Sequence, residues 1–129
     1  MKSKAPYSPE EKSKMDAIMG VFSTYIKEHY YFDILYSEKC GYIYIAVDEE
    51  DVPCEIFEDS SALLNRLFME VSSDVRELKL EGDHTTTDLY PQEIAETRNR
   101  LEKYFELLEP ELRAFCLEEM DCFLEEAAD

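Results

Sequence analysis

The 129-residue chain is long enough for one domain that buries about two thirds of its unfolded surface, and 45% apolar with 34% charged residues is the balance of a globular chain, not a disordered one. Its 31 acidic against 13 basic residues give a formal net charge of -18, which excludes non-specific affinity for nucleic acid or an anionic membrane, since both would repel it. No apolar run approaches the roughly 20 residues of a membrane span, and the opening residues lack the apolar centre of a signal peptide, so a soluble cytoplasmic protein is expected.

Ser8, Pro9 and Glu11 open a first helix: serine as N-cap, proline in the first turn, and glutamate closing a capping box. Met15, Ile18, Met19, Phe22, Tyr25, Ile26, His29 and Tyr30 recur at helical spacing and form its apolar face. Residues 32–47 then read as a β-hairpin, two runs of β-branched and aromatic residues around a polar turn closed by Gly41. In the second arm Ile43, Ile45 and Val47 share an aliphatic face while Tyr42, Tyr44 and Ala46 share the other, and both faces are expected to be partly covered. A two-stranded ribbon is marginal in water. Residues 52–57 can add a third strand, which Pro53 marks as an edge because proline donates nothing to a ladder.

A second helix capped by Asp59 or Ser60 runs through Lys79. Leu63, Leu64, Leu67, Phe68, Val71, Val75 and Leu78 turn inward, and Arg66, Glu70, Asp74 and Glu77 turn outward. Gly82 breaks it, and residues 80–90 form the one long irregular segment. A third helix over 91–108 buries Ile94, Leu101, Phe105 and Leu108. After the break at Glu109 and Pro110, a fourth buries Leu112, Phe115, Cys116, Met120, Phe123 and Leu124. The expected fold class is therefore α+β: an N-terminal helix, an antiparallel β-hairpin or three-stranded meander, then three helices with the last two as an antiparallel helical hairpin. One domain over 1–129 is expected, with residues 1–7 frayed.

Catalytic equipment is sparse. Three glycines supply neither a phosphate-cradling loop nor a dinucleotide fingerprint, and no nucleophile elbow, zinc-protease pair or C-x-x-C motif occurs. No cofactor is expected. Cys40, Cys54, Cys116 and Cys122 follow no disulfide or zinc spacing and read as buried thiols. Asp83, His84 and Asp88 could meet around a divalent ion or act as acid and base, against the plainer role of loop and cap residues. A Cys40 and His29 dyad lacks a third, orienting group. The turn from Asp48 to Asp51 lacks the alternation and glycine of a calcium loop.

Two features point to contact instead. Nine tyrosines include Tyr36, Tyr42 and Tyr44 on the hairpin, where an apolar body with a polar tip suits a partly wet interface or, equally, the boundary between sheet and helix. Glu118, Asp121 and Glu125 line one side of the last helix, where like charges three and four apart repel and a basic partner would relieve them. The expected function is that of a non-catalytic acidic interaction or regulatory module with a protein partner of basic character. No direct binding of nucleic acid or membrane is expected, and the hairpin edge or the helix pair could seat a second copy. The alternatives are an acidic nucleic-acid mimic that occupies a basic groove, and a small metal-dependent enzyme built on the 80–90 loop.

Overall fold

A computed structural model describes residues 7–29, 32–46, 55–78 and 91–127. Its element order is α1 (Pro9–Glu28), β1 (Phe32–Ser37), β2 (Gly41–Ala46), β3 (Glu55–Ile56), α2 (Ser60–Leu78), α3 (Pro91–Phe105) and α4 (Pro110–Ala127). The expected α+β order of helix, antiparallel strands and then helices is what the chain adopts. It divides into two compact units, Met1–Leu63 and Leu64–Asp129.

In the first unit, the backbone of Ser8 is extended and its hydroxyl accepts from the Glu11 N–H at 3.1 Å, which starts α1. Only half of the expected capping box forms. The Glu11 carboxylate does not serve its own helix; it accepts from the N–H of Ser60 at 3.0 Å and its hydroxyl at 2.6 Å, so α1 supplies a cap to the start of α2. Asp59 completes that start by accepting from the Ala62 N–H at 2.9 Å. Met15, Ile18, Phe22, Tyr25 and Ile26 are buried along α1 as their spacing dictates, while Met19 and His29 are only partly covered. The helix ends at Glu28. His29 caps it, its N–H donating to the Ile26 carbonyl and its Nδ1 to that of Tyr25 at 2.7 Å.

The three strands form one antiparallel sheet in the order β1-β2-β3, which leaves β3 at an edge. Pro53, read as the mark of that edge, lies outside the described residues. Register pairs Phe32 with Ala46, Ile34 with Tyr44 and Tyr36 with Tyr42 on one face, and Asp33 with Ile45 and Leu35 with Ile43 on the other. Ile56 sits beside Ile43. Phe32 stacks on Tyr44 with centroids 5.4 Å apart and touches the His29 ring at 5.4 Å, and His29 in turn lies 4.3 Å from Tyr25. A run of rings thus joins the end of α1 to the aromatic side of the sheet.

Tyr7 corrects the expectation of a frayed lead-in up to residue 7, for it is buried. Its hydroxyl accepts from the Tyr42 N–H at 2.9 Å and donates to the Phe57 carbonyl at 2.6 Å, while the Phe57 N–H reaches the Tyr42 carbonyl directly at 3.0 Å. One of the two bonds of a regular antiparallel pair is thereby replaced by an inserted phenol. Gly41 makes room for it. At a φ of +93° a side chain would be strained, and an added Cβ would overlap the Tyr7 hydroxyl and lie 2.5 Å from its Cζ.

In the second unit, the Phe68 ring of α2 lies 6.2 Å from Phe105 of α3 and 5.5 Å from Phe123 of α4. The link between α3 and α4 is short, and the pair forms the expected antiparallel hairpin. Its helix α3 stops at Phe105, earlier than Leu108, because the Leu107 and Leu108 N–H groups reach back only three residues, to Tyr104 and Phe105. Arg113 braces this end, donating to the carbonyls of Phe105 at 3.2 Å, Glu106 at 3.3 Å and Leu108 at 2.9 Å. Glu109 caps α4 through the Leu112 N–H.

Readings of the buried faces of α2, α3 and α4 need correction here. Ile94 is only partly covered, and the fully inward stripe of α3 is Glu93, Thr97, Leu101 and Phe105, with Glu93 just 1% exposed. Glu70, expected outside, is buried beside Arg66 of the same helix at 3.9 Å. Carboxylates enter a core only with partners, and helical spacing by itself cannot announce them. Phe115 and Phe123 are half-covered, whereas Leu112, Cys116, Met120 and Leu124 are buried as expected. Of the thiols, Cys116 is buried but Cys40 and Cys122 are exposed. Cys54 and the side chain of Leu78 lie outside the described residues.

Candidate functional site

The two faces of the sheet divide the hairpin's residues in a way that decides what the unit can present. Tyr42 and Tyr44 are each only 8% exposed, on the face that α1 covers. The Tyr42 hydroxyl donates to Asp16 Oδ1 at 2.5 Å, Lys12 holds Asp16 Oδ2 at 2.8 Å, and the same ammonium lies 4.7 Å from the centroid of the Tyr36 ring. Lys12, Asp16, Tyr36 and Tyr42 therefore form a clasp between the first turns of α1 and the turn end of the hairpin. Of the three tyrosines expected at an interface, only Tyr36, 36% exposed, reaches the surface. Burial of Tyr42 and Tyr44 removes them from direct contact with a partner while the unit is folded.

The electrostatics of the clasp fix its protonation. Burial, then the Asp16 carboxylate, pushes the Tyr42 phenol far above its ordinary range. Burial also raises Tyr7, against the bond it accepts from the Tyr42 N–H. For Asp16, partial burial pushes upward, but the hydrogen bonds from Lys12 and Tyr42 together with the Lys12 charge outweigh it and hold the carboxyl below its usual value. At neutral pH both phenols are neutral donors and Asp16 is an anion. That arrangement fastens a helix to a sheet.

The opposite face is aliphatic. Leu35, Ile43 and Ile56 lie in one row across the three strands, with Ile45 next along β2 and Asp33 across from it. Leu35 is 47% and Ile56 52% exposed, and Ile43 and Ile45 are partly exposed. Sequence reading expected cover on both faces and overlooked this row as a surface. The available signal was Asp33: alternation sets its charge on the same face as Leu35, and hairpin pairing then carries Ile43 and Ile45 to that outward side.

On α4, Glu118, Asp121 and Glu125 are exposed as expected. Asp121 already has a cation, however, since Arg98 of α3 reaches it at 2.6 Å. Cys40 and His29 sit at opposite ends of the hairpin, one in its turn and the other before its base. Strands of this length separate those ends by about 17 Å, which removes the dyad. Asp83, His84 and Asp88 lie outside the described residues, as does the turn from Asp48 to Asp51. Among the described residues no three His, Cys, Asp or Glu side chains converge as a metal site, and no helix is long and apolar enough to cross a membrane.

No protein-family model matches the chain, and no curated protein and no solved structure is significantly similar to it.

Proposed function

We propose that the chain works by contact, as a non-catalytic acidic interaction module whose binding surface is the outer face of the sheet and whose partner is a basic protein surface. The observation that carries this reading is the row of Leu35, Ile43 and Ile56, aliphatic side chains held in register and left open to solvent at the two edge strands. A contiguous exposed apolar patch rimmed by polar residues is the usual mark of a contact site. Charge sets the sign of the partner: the chain carries 31 acidic against 13 basic residues, and Asp33 is exposed on the face itself. Charge of that kind speeds encounter and selects partners, while the apolar row supplies burial.

The experiment is site-specific photo-crosslinking in the native cell, with a photoreactive residue placed at Leu35 in one version of the chain and at Glu125 in another. Discrete protein adducts are expected from position 35. Adducts arising from position 125 and absent from 35 would transfer the function to the acidic helix and to the nucleic-acid mimic.

A further inference from the structure

We propose that the outer face of the sheet receives a short cationic amphipathic helix, whose aliphatic stripe lies across Leu35, Ile43 and Ile56 and whose lysines or arginines meet Asp33 and the chain's surplus negative charge. This rests on the contact reading above and names its occupant.

Four observations select that occupant. The first is width: neighbouring strands lie about 4.8 Å apart, so a row of three side chains spans about 10 Å, the diameter of one α-helix. Extent is the second. A stable pair of proteins sets about 20 to 30 residues a side against each other, whereas this face offers Leu35, Ile43, Ile45 and Ile56 with Asp33 at its margin. It suits a single segment with anchors three and four residues apart.

The third is charge. Asp33 is exposed on the face itself and the chain carries a net charge of -18, so a second copy would bring like charge against like, while a cationic helix meets opposite charge. The fourth is the state of the sheet edge. Tyr42 turns its N–H and C=O away from β1, so alternation turns those of Phe32, Ile34 and Tyr36 outward from the sheet. There the Ile34 N–H is already taken by the Asp33 carboxylate at 2.8 Å. At the other edge, β3 has two residues. One rung of the β1 edge is therefore occupied and β3 offers two residues, which favours a partner that satisfies its own backbone.

The test uses the full chain and two fluorescein-labelled peptides of about 14 residues, a length of roughly four helical turns. Both are made of leucine and lysine in the same proportions, one at helical spacing and the other strictly alternating. Anisotropy titrations at about 150 mM salt keep long-range attraction screened. The helically spaced peptide is expected to bind about tenfold more tightly than the alternating one. The double variant Leu35→Ser, Ile56→Ser is expected to weaken it by about tenfold or more, since each lost anchor forfeits burial of a large aliphatic side chain.

Circular dichroism confirms that this variant folds, and Leu35→Ala, Ile56→Ala is the milder substitute if it does not. Equal binding of both peptides, or no change in either variant, overturns the proposal, because charge alone then accounts for the affinity. Self-association in sedimentation that the double variant abolishes overturns it in favour of a second copy. If peptide binding fails while photo-crosslinks from position 35 persist, the helical occupant falls and the interaction module stands.

Discussion

One face of the sheet carries rings with hydroxyls and is mostly buried; the other carries aliphatic side chains beside the lone carboxylate of Asp33 and is largely exposed, the reverse of what polarity by itself would choose. The difference lies in what each face meets. Asp16 accepts the Tyr42 hydroxyl, the Tyr7 hydroxyl lies in the strand seam, and Phe32, Tyr44, His29 and Tyr25 stack, so the aromatic side is buried with its phenols engaged. Among the described residues, no hydrogen-bonding or ring partners of this kind are given to the aliphatic side. Burial thus follows the supply of matching partners as much as it follows hydropathy.

Paired truncations put the sharpest strain on this contrast. Phe32→Ala on the aromatic face is expected to cost about 3–5 kcal/mol, and Leu35→Ala on the other face about 0.5 kcal/mol or less, both read from urea midpoints. Similar losses at the two sites would erase the distinction. Tyr7→Phe comes next: it strands the Tyr42 N–H and the Phe57 carbonyl in a buried seam, at about 1–3 kcal/mol.

The smallest effect should be alkaline. In the folded state Tyr42 and Tyr7 hold their protons above the ordinary value of 10.0, whereas the unfolded chain releases them there. Above pH 10 the unfolded state then binds fewer protons, so stability is complete below that pH and declines as pH rises. Urea midpoints between about pH 8 and 11 should show this limb, and Tyr42→Phe should flatten it. A wild-type midpoint that stays level through pH 11 would mean the phenols are not shielded.

Elements with a local cause were legible from the residues. Ser8 and Pro9 start α1, Gly41 closes the hairpin, Asp59 starts α2 and Pro110 starts α4, each through chemistry that acts within a few positions. What escaped was settled at long range. Glu11 looks like part of a local box but serves Ser60, and Tyr7 looks like a loose leader but fills a gap opposite Gly41. Glu93 and Thr97 hold an inward stripe that hydropathy would give to Ile94. The outer face was half-legible: its residues were grouped correctly by alternation, yet which group α1 would cover depended on where Lys12 and Asp16 met the tyrosines.

The carboxylate of Asp33 has one more effect. Copies bearing bare hydrocarbon on a flat sheet are raw material for fibres, in which growth proceeds rung by rung through main-chain bonds along an open margin. By occupying the Ile34 N–H and placing a negative charge there, Asp33 withholds a rung that an incoming strand would need. An incoming strand would have to displace that carboxylate before it could pair there.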